Sequence, residues 1–341
     1  MDIQLVGITV LWVFLYGYLI TASIDFGAGF FAYYGELSGK DHIINKIISR
    51  YLSPVWEVTN VFFVFFFVGL VGFFPDTAYY YGTALLVPGS IAIILLAIRG
   101  SFYAFGNYGA KKSRVYTFLY GVTGLLIPAS LSTALTLSEG GFIEEVNGEV
   151  KFLAGELFSS FYSWSVVLLA IVSVLFISAA FLTYYASRAN DQPALELLRK
   201  YALFWSAPTI LSSILVFVAL QQHNPVHFER ILDYAWFFIA SLFCFLVATY
   251  LIFNRKRYGT AFIFVMLQFF FAFFGYGISH LPWILYDYIT IYSGYTNETT
   301  GIYLVFAFIA GLFLLVPSLI LLMRLFLFDA EYVKGNKNNK S

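Results

Sequence analysis

Long apolar runs separated by short polar segments fill almost the whole chain. A helix that crosses a bilayer needs roughly 20 mainly apolar residues. On that criterion the pattern predicts spans at about Ile3–Tyr34, Val55–Phe74, Tyr79–Tyr103, Val115–Leu137, Phe158–Tyr185, Leu203–Leu220, Ile231–Phe253, Ala261–Ser279 and Ile302–Phe328. The longer ones extend past the bilayer. The runs do not alternate and are about twice the length of membrane-barrel strands, so helices are expected rather than a barrel. The expected fold class is therefore an all-α membrane protein of nine transmembrane helices.

The polar segments give these spans a direction. Lys40, Lys46 and Arg50 follow the first span, and Lys111, Lys112 and Arg114 follow the third. Arg188, Arg199 and Lys200 follow the fifth, and Arg255, Lys256 and Arg257 the seventh. Arg324, Lys334, Lys337 and Lys340 lie at the carboxyl end. The intervening loops carry only Lys151 and Arg230, and the fourth is acidic, with Glu139, Glu144, Glu145, Glu149 and Glu156. Basic residues mark the cytoplasmic side. The alternation predicts an amino terminus outside and a carboxyl terminus in the cytoplasm. One missed span would break it.

Composition agrees. Of the 341 residues 60% are hydrophobic and 11% charged, against about a quarter charged in soluble domains. Mean hydropathy is +0.81. No loop is long enough for a folded domain, and residues 331–341 form a polar tail. Met1-Asp2-Ile3-Gln4 has no basic stretch ahead of its apolar run, so that run reads as a retained first helix rather than a cleaved signal. The single cysteine, Cys244, excludes an internal disulfide and a thiolate metal site. Asn297-Glu298-Thr299 fits a glycosylation sequon, a match short enough to arise by chance.

Ionisable groups inside a bilayer are costly, so each is a functional candidate. Asp25 lies in the first span, on one helical face with Thr21, Ala28, Gly29 and Ala32. Small residues allow another helix to approach closely, which points Asp25 into a helix interface, about 15 Å from the cytoplasmic end of its helix at 1.5 Å per residue. It reads as a proton-transfer group, or else as a carboxyl that hydrogen-bonds a neighbouring helix. Glu57 opens the second span behind Pro54. It suits either proton transfer or simple complementation of the helix dipole. Asn60 is one turn further in, and Trp56 suits an interfacial belt. Arg99, near the cytoplasmic end of the third span, is expected to pair with Asp25 or Glu57 or to reach the headgroups. These three charges come from consecutive helices at comparable depth.

The histidines, His42, His223, His227 and His280, fall in loops or at helix ends. Membrane hemes are usually held from within helices, so no heme ligated by this chain alone is expected. His223 and His227 have i, i+4 spacing, but Asn224-Pro225 between them argues against a shared helical metal face, and no metal is expected. No phosphate loop, hydrolytic triad or nucleic-acid feature is present.

Ser23-Ile24-Asp25-Phe26-Gly27-Ala28-Gly29, Ser53-Pro54-Val55-Trp56-Glu57-Val58-Thr59-Asn60 and Arg99-Gly100-Ser101-Phe102 together resemble subunit II of the cytochrome bd-type quinol oxidases, over the whole chain in length, span count and order. The resemblance implies a heme-free subunit in a bacterial cytoplasmic membrane. It implies two four-helix bundles (about 1–137 and 156–280) and a peripheral last helix (about 302–328). It implies a partner, subunit I, with two b-type hemes and one d-type heme, and a complex that oxidises quinol and reduces dioxygen to water. A structural quinone and a small single-helix subunit occur in some members. Asp25 and Glu57 match the family's acidic positions. Phe62 stands where many members have a second Trp, so an apolar lining of an oxygen or quinone route, with Trp56 and Asn60, is implied rather than an indole. A stand-alone proton-coupled secondary transporter is the competing class, although matching repeats with interrupted helices are not evident. A scaffold that only shields the partner's hemes is the third.

Overall fold

The structure, a computed structural model, describes residues 2–108 and 114–326; the side chains of residues 45–46, 49–58, 102–108, 322–323 and 325–326 also lie outside the description. Helices dominate. They are α1 (Ile3–Leu37), α2 (Asp41–Phe73), α3 (Asp76–Ala84), α4 (Leu86–Tyr108), α5 (Arg114–Leu131) and α6 (Thr133–Ser138). The strands β1 (Ile143–Val146) and β2 (Glu149–Phe152) follow, then α7 (Ala154–Ser159), α8 (Phe161–Ala189), α9 (Gln192–His223), α10 (Pro225–Asp233), α11 (Ala235–Phe253) and α12 (Tyr258–His280). The short strands β3 (Trp283–Leu285) and β4 (Ile289–Thr290) precede α13 (Glu298–Phe326). Among the described residues seven helices are long and apolar enough to cross a membrane, or eight when the bent pair α3–α4 is one span. Thr59–Phe73 of α2 is a shorter apolar helix.

One expected span is broken and two others depart locally from the expected run. The third bends by 79° between α3 and α4. Pro88 has no amide hydrogen for the Ala84 carbonyl, so one helix cannot run through. The fourth passes Pro128 inside α5 and has a single turn residue, Ser132, before α6, yet Arg114–Ser138 remains one span of 25 residues. The seventh starts at Ala235, because the residues before it form the separate α10. There Pro225 takes the first turn and the Asn224 side chain accepts from the His227 amide at 3.0 Å, a standard helix start. The α8–α9 connection is equally explicit. Asn190 ends α8 in the left-handed region at φ 56°, and Asp191 caps α9 by accepting from Ala194 N at 3.2 Å. The acidic fourth loop is an antiparallel hairpin with Ile143 opposite Phe152, turned by Asn147 and Gly148 at φ 56° and 80°.

Helix α1 is the hub, packed against α2, α5, α8, α12 and α13. Its carboxyl-terminal half, through Ile24, Ala28 and Phe31, joins a core with α8, α9, α11 and α12 that includes Phe181, Tyr185, Leu198 and Val265. Its amino-terminal half, through Leu11 and Phe14, joins an aromatic core with Phe62, Phe73, Phe74 and Phe308. Large apolar side chains such as Phe306, Phe313 and Leu314 on α13 are exposed, as expected of helices whose outer surface meets lipid or a partner rather than water.

Candidate functional site

Asp25 is buried in the middle of the α1 hub, and its partners come from two other helices. Arg99 of α4 is fully buried beside it. Arg99 Nε donates to Asp25 Oδ2 at 2.8 Å and Nη2 to the Asp25 backbone carbonyl at 2.6 Å. Its Nη1 donates to the Tyr120 carbonyl at 2.8 Å and to Thr123 Oγ1 at 3.3 Å, both on α5. The Tyr120 hydroxyl donates to Asp25 Oδ1 at 2.9 Å. The guanidinium also lies 3.8 Å from the Tyr120 ring centroid and 5.4 Å from that of Phe26, within cation–π range. Both carboxylate oxygens are thus engaged, and α1, α4 and α5 are tied at one point.

Glycine permits this approach. A Cβ on Gly29 would lie 2.7 Å from the Tyr120 carbonyl oxygen and 3.0 Å from both Arg99 terminal nitrogens. On the next face, a Cβ on Gly27 would meet Ser178 Cβ at 2.3 Å, where Ser178 Oγ donates to the Ile24 carbonyl at 2.9 Å. The small residues flanking Asp25 therefore seat α5 and α8 on opposite sides of it.

Of the other sequence candidates, Phe62 is buried against α1, edge-on to Phe14 at 6.2 Å between centroids. Asn60 is half-buried on α2. The side chains of Trp56 and Glu57 lie outside the described residues. The structure brings Asp25 and Arg99 together, with Tyr120 and Thr123, which sequence reasoning did not single out.

A second polar cluster was also missed. Glu139, just past α6, is buried with His227 of α10 and His280 at the end of α12. His227 Nδ1 lies 2.9 and 3.0 Å from the two Glu139 carboxylate oxygens, and His280 Nε2 lies 3.8 Å from Oε1. Tyr276 donates to Oε1 at 2.5 Å and Asn224 Nδ2 to Oε2 at 2.9 Å. Burial pushes the Glu139 carboxyl up, but the hydrogen bond with His227, the neighbouring imidazoles and the Tyr276 hydroxyl outweigh it and hold the carboxyl below the ordinary range. His223 is not part of this group; its ring is stacked between Phe142 and Tyr162 at 4.9 and 5.0 Å. The clusters sit at opposite ends of the α5–α6 pair, Tyr120 near its start and Glu139 past its end.

Comparison with known proteins decides the family. The model of the family described as cytochrome bd terminal oxidase subunit II matches residues 3–326. The chain belongs to the cytochrome bd oxidase subunit II family. A Bacillus subtilis (strain 168) protein named for a cytochrome bd menaquinol oxidase subunit II is 34% identical over 340 residues, 97% of each chain. A chain in the structure of the bd oxidase from Geobacillus thermodenitrificans is 59% identical, with a TM-score of 0.85, over 96% of this chain and 100% of that one. This bd oxidase subunit is thus a multi-pass membrane protein and one component of a membrane oxidase.

Proposed function

We propose that this chain is the heme-free subunit II of a quinol:dioxygen oxidoreductase, that it stabilises a heme-bearing subunit I, and that it contributes a cytoplasmic proton route through Asp25 and Glu57. The observation that carries the reading is likeness along the whole chain to a chain of a solved bd oxidase, at an identity well above that needed for shared fold alone. The name of the Bacillus relative supports menaquinol as electron donor. In this reading the partner carries two b-type hemes and one d-type heme and supplies the electron and oxygen chemistry. Three of the four described histidines support that division: His223 is sandwiched between rings, and His227 and His280 are packed on Glu139 with centroids 5.0 Å apart, too close for a macrocycle between them.

The same reading gives nine spans, the amino terminus outside and the carboxyl terminus in the cytoplasm. The helix pairings support two four-helix bundles, α1, α2, α4 and α5 beside α8, α9, α11 and α12, with α13 against α1 and α2. Asp25, Glu57 and Arg99 then lie in the cytoplasmic half of a bacterial membrane, where protons for water formation enter. Trp56, Asn60 and Phe62 on α2 are the candidates for lining an oxygen or quinone route. A small single-helix subunit and a structural quinone belong to this reading as partners of the complex.

One observation favours a second role for Asp25. With Oδ1 and Oδ2 both engaged by Tyr120 and Arg99, it is placed to act as a fixed tie between three helices. Removing one partner of a buried ion pair costs about 3–5 kcal/mol, whereas replacing both by apolar groups is often neutral. Asp25→Asn and the double variant Asp25→Leu/Arg99→Met separate the two roles in the purified complex. If Asp25 carries protons, both variants lower oxygen consumption while the heme spectrum persists. If it is only a tie, Asp25→Asn loses hemes and the double variant regains both hemes and turnover. Full turnover of an assembled Asp25→Asn complex would refute both roles.

A further inference from the structure

The Glu139 cluster has the donor set and the outward hydrogen bonds of a metal site. His280 Nδ1 lies 2.8 Å from the Trp283 carbonyl oxygen. A carbonyl only accepts, so Nδ1 carries the hydrogen and the neutral ring turns the lone pair of Nε2 inward. That Nε2 is buried and has no hydrogen-bond partner, and it faces Glu139 Oε1 at 3.8 Å. His227 repeats the arrangement. Its Nε2 lies 2.9 Å from Ser279 Oγ, whose hydroxyl donates to the Tyr276 carbonyl at 2.9 Å. With that hydrogen used, Ser279 Oγ accepts from Nε2–H, and Nδ1 shares one further proton with the Glu139 carboxylate at 2.9 and 3.0 Å. Both imidazoles thus donate outward, and once the proton shared by His227 and Glu139 is lost both turn a lone pair inward beside one carboxylate, the orientation that outer-sphere partners impose on metal-bound histidines.

We propose that Glu139, His227 and His280 bind one divalent transition-metal ion, of which zinc is the best match. The one-atom-per-residue ligand set lies within 4.8 Å of itself. Bonds of 2.0–2.2 Å in a tetrahedron separate neighbouring ligand atoms by about 3.3 Å, between the 2.9 and 3.8 Å from Glu139 Oε1 to the two imidazole nitrogens, which themselves lie within 4.8 Å of each other. Two imidazoles and a carboxylate are a zinc ligand set that leaves a fourth position. The ion takes the place of the proton shared by His227 and Glu139, so binding releases a proton to solvent. Tyr276 and Asn224 keep their hydrogen bonds to the carboxylate and orient it. The ligands come from the end of α6, from α10 and from the end of α12, so the ion ties together three segments at the end of the molecule remote from Asp25. Because all three side chains are buried, the ion enters while the chain folds.

The test uses the intact oxidase complex purified from cells grown with added Zn2+ as the only probe, then dialysed against a chelator. Zinc is counted by mass spectrometry and located by anomalous diffraction at the zinc edge. The proposal expects about one zinc per complex, with an anomalous peak between the three side chains. It expects His280→Gln and Glu139→Gln each to lower bound zinc at least tenfold while heme content is retained. An anomalous map of the wild-type complex without a peak there overturns it, whether or not the variants assemble. Unchanged zinc in assembled variants overturns it as well.

Discussion

Asp25, Arg99 and Tyr120 meet only because position 29 has no side chain. A Cβ there would press on the backbone of Tyr120, at 2.7 Å, as well as on the guanidinium, and backbone held by two other contacts cannot yield cheaply. Overpacking of this kind costs about 1–3 kcal/mol. Gly29→Ala is therefore expected to lower the temperature at which the purified complex loses its heme spectrum. Gly82 of α3 is the control, since nothing lies within 4 Å of a Cβ placed there; alanine in a helix is better than glycine by roughly 0.5–1 kcal/mol, so Gly82→Ala should leave that temperature unchanged or raise it. Equal losses in both variants would mean that the Asp25 junction is no tighter than an exposed helix. At this scale the two clusters differ in how far the chain discloses them. Asp25 and Arg99 interrupt apolar runs and stand out. Glu139 sits among Glu144, Glu145, Glu149 and Glu156, and nothing in the letters separates it from them. Burial does: the other four are exposed and Glu139 is not. His227 points to Glu139 rather than to His223 because Pro225 starts a new helix between the two histidines, and nothing local in the sequence pairs either of them with Glu139.

Elements follow the same division between apolar length and local detail. The positions of the long helices were legible, because apolar length is what a bilayer selects. The breaks at Leu85, Ser132 and Tyr234 were not, since a run of apolar residues has the same hydropathy whether straight or bent. The bend at Leu85 lays α3 into a cap with the β1–β2 hairpin and the β3–β4 turn. Tyr79 donates to the Gly148 carbonyl at 2.6 Å, Tyr81 to the Ile284 carbonyl at 2.9 Å, and Tyr288 to the Ile143 carbonyl at 3.1 Å. A few tyrosine bonds and a small core around Leu137, Phe142 and Leu285 hold this cap. Helix α8, in contrast, has 72% of its most apolar window buried. Local opening is easiest where few buried contacts must be broken. Deuterium exchange on the detergent-solubilised complex should label α3 and β1–β2 well before α8. Simultaneous labelling would mean that the cap and the hub open as one cooperative unit.

At the scale of the whole molecule, orientation decides what each cluster can serve. If the basic loops face the cytoplasm, as the positive-inside rule predicts, the Asp25 junction is on the side that supplies protons and the Glu139 cluster is on the other face, with the acidic hairpin. Reversal of the chain would exchange these roles, so direction is worth measuring directly. Cys244 is buried at 5% exposure; Cys244→Ser gives a background without thiols, at little packing cost for a small side chain. In that background Glu149→Cys samples the β1–β2 hairpin and Lys256→Cys the α11–α12 turn, both at exposed positions. Arg255 and Arg257 remain to keep the turn basic, so the second substitution does not itself remove the signal that sets direction. A membrane-impermeant maleimide should label Glu149→Cys in intact cells and Lys256→Cys only after the membrane is opened. The opposite pattern would place Asp25 on the outer side and remove the physical basis for a cytoplasmic proton route. Labelling of both in intact cells would break the alternation itself, because it requires an even number of crossings between β2 and the α11–α12 turn, where α8, α9 and α11 provide three.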